Sequence, residues 1–266
     1  MATETRVRNR RTDGESILEL DGLTKTFGAF AAIDDISMTV ERGEFRSVIG
    51  PNGAGKTTLF NLISGALPVT EGGVYFRGEE ITDLSPPERV ARGIGRSFQI
   101  SNVFGGLSVH ENVRLAAQAD RRSEYNLIES FFKPTDRYED VNAETDRILE
   151  RIDLTHVAEE EADALAYGDR RRLEIGVVLA TDPELVLFDE PTAGMSVEET
   201  QETIDLIEEV LVDQTLLLIE HDIELVMELS DHITVLNRGE ILAEGTPEEI
   251  AESRDVQDAY LGGMTE

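Results

Sequence analysis

Two kinds of hydrophobic pattern divide this chain. Ile17-Leu18-Glu19-Leu20 and Ala32-Ile33-Asp34-Asp35-Ile36-Ser37-Met38 alternate apolar and polar positions, which predicts antiparallel strands with one face buried. Phe45-Arg46-Ser47-Val48-Ile49, Leu185-Val186-Leu187-Phe188 and Thr215-Leu216-Leu217-Leu218-Ile219 are instead mostly continuous apolar runs. Such runs suit strands covered on both faces. Residues 72–84 predict a further short strand pair, and 41–44 a turn into the strand at 45–49. From about Pro86 to Leu165 the pattern turns helical and charged, with apolar residues at helical spacing over 144–152. Residues 123–139 are less regular and read as a surface excursion, and α/β alternation returns after 170. The expected class is therefore α/β. Residues 16–88 and 166–266 form one split core around a helical subdomain at 89–165. Residues 1–15, with Arg6, Arg8, Arg10 and Arg11, read as a disordered tail, either solvated or touching anionic lipid.

Composition narrows the class. The 266 residues are 40% hydrophobic, enough for a core, yet no apolar run approaches the roughly 20 residues that span a bilayer. The opening Met1-Ala2-Thr3-Glu4-Thr5-Arg6 lacks the apolar stretch of a secretion signal, so a cytoplasmic location is expected. With no cysteine, disulfides, zinc–thiolate sites and thiol catalysis are excluded. The net charge of −31 comes with no basic face beyond the first dozen residues, which argues against nucleic-acid binding. Lysine is confined to Lys25, Lys56 and Lys133. An acidic, lysine-poor surface suggests a high-salt cytoplasm, where screening makes self-repulsion tolerable, the alternative being an ordinary solvated acidic surface.

Chemistry enters with Gly50-Pro51-Asn52-Gly53-Ala54-Gly55-Lys56-Thr57-Thr58, which fits the phosphate-cradling P-loop pattern between a strand and a helix. Glycines let backbone N–H groups converge on phosphate oxygens. Lys56 is suited to the β- and γ-phosphates and the Thr57 hydroxyl to Mg²⁺, while the helix that follows adds the positive end of its dipole. The apolar run at 185–188 ends in Asp189-Glu190. In an open α/β sheet the carboxyl ends of strands face the ligand, which places Asp189 to hold Mg²⁺ and Glu190 to polarise an attacking water. His221 ends another apolar run and is a candidate to reach the γ-phosphate or orient that water. His110, His156 and His232 have no such setting.

These pieces together resemble the ATP-binding subunit of an ABC transporter over nearly the whole chain. The resemblance implies a RecA-like P-loop NTPase core with an antiparallel β subdomain and an inserted helical subdomain. It makes Leu165-Ala166-Tyr167-Gly168-Asp169 the signature segment, facing ATP held by an opposite subunit. Gln99, in Gly95-Arg96-Ser97-Phe98-Gln99, becomes the residue that senses Mg²⁺ and links to the permease. Phe27 matches the aromatic that stacks on adenine, with a core role as its competitor, and Ala193-Gly194-Met195-Ser196 matches the loop at the dimer seam. The usual signature serine is Ala166, the usual glutamine Asp169, and the usual seam aspartate Ser196. These departures, with Phe60-Asn61-Leu62-Ile63-Ser64-Gly65 and Ala259-Tyr260-Leu261-Gly262-Gly263, look like the longer of the paired ATPases of branched-chain amino-acid importers. Urea or amide importers and lipopolysaccharide exporters carry similar subunits. The implied partners are membrane permeases, a second ATPase in a head-to-tail dimer and, indirectly, an extracytoplasmic substrate-binding protein. A soluble, non-transport ABC ATPase would be expected to carry a long coiled-coil insertion or tandem cassettes, and a non-hydrolysing regulator has no need of Asp189-Glu190.

Overall fold

The computed structural model describes residues 14–97, 103–120 and 135–262. Two sheets organise it. β1 (Ser16–Phe27) and β2 (Phe30–Glu41) form a long antiparallel hairpin. β4 (Glu71–Phe76) adds to the far side of β1, and β5 (Glu79–Glu80) closes this four-stranded sheet. The alternation seen at 17–20 and 32–38 arises here, because one face packs inward while the other meets water.

The second sheet has six strands in the order β10-β9-β3-β8-β7-β6. Its members are β3 (Phe45–Ile49), β6 (Ile94–Ser97), β7 (Leu185–Asp189), β8 (Thr215–Ile219), β9 (His232–Asn237) and β10 (Glu240–Gly245). All neighbours are parallel except β10, which returns antiparallel to β9. Every residue of β3, β7 and β8 is buried. Val186, Phe188, Leu216 and Leu218 feed one hydrophobic cluster, under the helical part of the chain. Leu185, Leu187, Leu217 and Ile219 feed another, shared with the β1–β2–β4 face and with α1 (Lys56–Ile63). Each continuous apolar run thus serves two cores at once.

The remaining helices are α2 (Pro86–Val90), α3 (Val109–Asp120), α4 (Thr135–Arg151), α5 (Tyr167–Leu179), α6 (Val197–Val210), α7 (Ile223–Leu229), α8 (Pro247–Glu252) and α9 (Arg254–Gly262). No helix among the described residues is long and apolar enough to cross a membrane. Three expectations need adjustment. The range 89–165 is not wholly helical, because Ile94–Ser97 pairs in parallel with β7 as the edge of the core sheet. Residues 135–139, read as irregular, begin α4. Glu15, counted with the tail, accepts a hydrogen bond from the Arg42 N–H at 2.8 Å. Most of the expected tail, residues 1–13, and most of the expected surface excursion, 123–134, lie outside the described residues.

Candidate functional site

The loop at 50–58 connects β3 to α1, and its glycines answer different demands. Gly50 has φ +152°, and a Cβ there would lie 2.2 Å from the Leu236 carbonyl oxygen. Gly55 has φ +107°, and a Cβ would meet the Ala32 carbonyl at 2.7 Å. The loop therefore passes close beneath β2 and the end of β9, and Gly239 N–H ties it further by donating to Ala54 O at 2.9 Å. Gly55 also caps α1 with no side-chain bond, and no acid sits in that helix's first turn. The first amides of α1 remain available to an anion, as a helix N-terminus favours.

Lys56 lies buried in this loop, with Nζ donating to Gly50 O at 2.7 Å and Pro51 O at 3.3 Å. Burial lowers its pKa, and the charges of Glu190 and Asp189 act in the opposite direction. The parallel register accounts for their shared neighbourhood. Ile219 of β8 stands opposite both Val48 of β3 and Asp189 of β7. The carboxyl ends of β3, β8 and β7 thus lie side by side, carrying the loop, Glu220-His221 and Asp189-Glu190.

Asp189 is buried, and burial pushes its pKa up while Arg96 pulls it down. Its Oδ2 lies 3.2 Å from Arg96 Nη2, and the same guanidinium donates through Nη1 to Asn61 Oδ1 at 2.7 Å and Ser64 Oγ at 2.8 Å, both on or beside α1. Glu190 follows in the left-handed region, at φ +50°. A non-glycine residue held there is strained, a condition found where surrounding structure over-determines a functional position. Its N–H donates to Ile219 O at 2.9 Å, and its Oε1 lies 2.8 Å from His221 Nε2. Among the described residues no cluster of three or more acids and histidines gathers. One carboxylate, Asp189, at the end of β7 and the exposed hydroxyl of Thr57 at the start of α1 are a sparse set of hard oxygens, and that donor chemistry fits Mg²⁺, which takes few protein ligands and completes its shell from phosphates and water.

The other expected site residues lie apart. Ala166 caps α5 without a side-chain bond, Tyr167 is exposed, and the space around the Gly168 Cα is open. Among the described residues no hydrogen bond or ion pair joins 166–169 to the loop at 50–58. Arg171, one turn into α5, donates to Pro191 O at 2.6 Å, tying that helix to the residue after Glu190. Phe27 ends β1 at the hairpin tip, 52% exposed, with Lys25 Nζ 5.2 Å from its ring centre, so it is no core residue. Ser196 caps α6 in a reciprocal pairing with Glu199. Gln99 lies outside the described residues. Sequence reading passed over Arg96 and Glu220. Arg96 follows a glycine in a four-residue strand too short to announce itself. Glu220 carries the same signal as Asp189, an acid closing an apolar run, and is equally buried.

Comparison with known proteins gives these groups a context. The ABC transporter family model matches residues 33–193. A second model, described as branched-chain amino acid ATP-binding cassette transporter, matches 240–264. The chain is 42% identical to the high-affinity branched-chain amino acid transport ATP-binding protein BraF of Pseudomonas aeruginosa, over 92% of this chain and 98% of that one. A solved ATP-binding cassette of an ABC transporter in its ADP conformation matches at TM-score 0.77 and 32% identity, over 93% of this chain and 99% of that one. A dimeric cassette in a post-hydrolysis state, bound to ADP and Pi, matches at TM-score 0.69 and 25% identity, over 87% of this chain and 99% of that one.

Proposed function

The chain belongs to the ABC transporter family of ATP-binding, ATP-hydrolysing subunits, and on that footing we propose that it powers uptake of branched-chain amino acids through membrane permeases. The substrate reading rests on BraF, similar over almost its full length, and on the branched-chain model at 240–264. The catalytic reading rests on one contact, the 2.8 Å approach of His221 to Glu190 at strand ends beside the phosphate loop.

In this mechanism the amides at 50–58 and Lys56 bind the phosphates of ATP and neutralise their charge. Pro51, Asn52 and Ala54 shape the loop, Thr58 continues α1, and Phe27 stacks on the base. Thr57, Asp189 and Gln99 would hold Mg²⁺, which supplies further charge neutralisation. Glu190 takes a proton from the attacking water as general base, and His221 fixes the orientation of that carboxylate. Ala166, Tyr167, Gly168 and Asp169 contribute to the site of a second subunit, by backbone approach from the open N-terminus of α5. The dimeric cassette among similar structures supports that arrangement. The assembly sits on the cytoplasmic face of the membrane, serves an external substrate-binding protein, and works in a high-salt cytoplasm. We assign the core to 16–97 and 166–262 and the helical subdomain to the described residues between, 103–120 and 135–165.

Uptake of radiolabelled leucine by host cells tests the substrate. Replacing this chain by its Glu190→Gln variant abolishes leucine uptake and leaves urea uptake intact. The reverse pattern would assign it to a urea importer.

A further inference from the structure

Glu220 is a buried carboxylate, 4% exposed, that the mechanism above does not use. Its Oε1 accepts from Thr192 N–H at 3.1 Å and from the Thr192 hydroxyl at 2.6 Å, and its Oε2 accepts from His221 N–H at 3.1 Å. No lysine, arginine or histidine side chain forms an ion pair with it among the described residues. Burying a carboxylate whose compensation is hydrogen bonds alone is costly. A residue retained at such a position is there for placement more than for stability.

What it places is specific. Thr192 lies two residues beyond Glu190, and His221 is the very next residue after Glu220. One carboxylate therefore grips both backbone segments whose side chains meet at 2.8 Å. Glu190 is anchored from the other side by its N–H to Ile219 O, immediately before Glu220. Its backbone sits at φ +50°, a conformation that relaxes unless neighbours hold it. We infer that Glu220 is a positioning residue for ATP hydrolysis, locking the Glu190 and His221 loops to each other through Thr192 and the His221 amide. This inference rests on Glu190 and His221 acting as proposed.

The substitution Glu220→Gln places an NH₂ group where an acceptor now faces an N–H, either at His221 or at Thr192. Thr192→Val removes one hydroxyl and keeps the shape. Phosphate release by the full chain, measured against ATP concentration, gives kcat, and titration with a fluorescent ATP analogue gives affinity. Both variants are expected to lower kcat on the order of tenfold or more with affinity unchanged, since small misplacements of reacting groups are expensive. Thr192→Ser recovers most of the loss seen in Thr192→Val. The double variant falls no further than Glu220→Gln alone, because both changes break one connection. Wild-type kcat in both single variants overturns the inference. So does a fall in affinity and melting temperature that matches the fall in kcat, which marks a structural role only. Should Glu220→Gln not fold, Thr192→Val alone decides by the same criteria. Glu190→Gln is the control: if it turns over normally the underlying reading fails, whereas its loss beside normal Glu220→Gln and Thr192→Val removes only the positioning role.

Discussion

Gly50 and Gly53 share a loop and a positive φ but not a constraint. At Gly53 φ is +81° and nothing lies within 4 Å of a Cβ, so only the backbone conformation resists a side chain. Gly53→Ala is expected to cost about 1–2 kcal/mol, the usual left-handed penalty. At Gly50 a methyl group would overlap the Leu236 carbonyl at 2.2 Å, and either the loop or β9 must move. Gly50→Ala should therefore lose far more stability than Gly53→Ala, with nucleotide binding lost as well. Urea unfolding of the two variants checks this, and equal losses would mean that close packing under β9 does not constrain the loop. The glycine pattern was legible in the sequence because phosphate binding dictates residue types at fixed spacing. The reason for each glycine was not, since Leu236 is distant in sequence. Asp189, Glu190 and His221 were legible because each follows an apolar run long enough to read as a buried strand. Arg96 was hidden, because its partners Asn61, Ser64 and Asp189 come together only in the folded chain.

The helix α1 ends on a buried arginine from a different element. Arg89 in α2 donates through Nη1 to Leu62 O and Ile63 O at 2.6 and 2.7 Å, through Nη2 to Thr82 O at 2.7 Å, and through Nε to Leu84 O at 3.1 Å. Desolvation lowers its pKa to about 10, with the charge of Asp83 acting the other way. The cation completes the C-terminal carbonyls of the helix that begins in the phosphate loop, where positive charge also favours the dipole. Arg89→Met fills much of the same volume without the donors; it leaves the Ile63, Thr82 and Leu84 carbonyls short of partners and Leu62 O with the Gly65 N–H. A loss of about 3 kcal/mol is expected from that many unpaired groups, read by urea unfolding. A loss under about 1 kcal/mol would mean that water replaces the guanidinium. Element type was readable where a run was long, as in β7 and β8. It was not readable in β6, whose Ile94-Gly95-Arg96-Ser97 has a single apolar side chain and gains strand form by pairing with β7.

On the scale of the whole molecule, charge and assembly dominate. A net charge of −31 repels itself across a single chain, and that repulsion is screened within about 3 Å at 1 M salt. Melting temperature should rise steadily with KCl toward molar concentrations, and a flat or falling curve would remove the case for a high-salt cytoplasm. The proposed assembly builds on what one chain holds: the phosphate loop, Asp189, Glu190 and His221 converge at three adjacent strand ends, while the N-terminus of α5 is capped by no side chain. The central claim is that those converging groups form one hydrolytic site with Glu190 as its base. Phosphate release by the full-length Glu190→Gln chain, with ATP binding measured in parallel, tests it most directly. The account predicts that binding persists while release falls by about a hundredfold or more, the range that a general base contributes. Release near the wild-type rate, with binding intact, would contradict it.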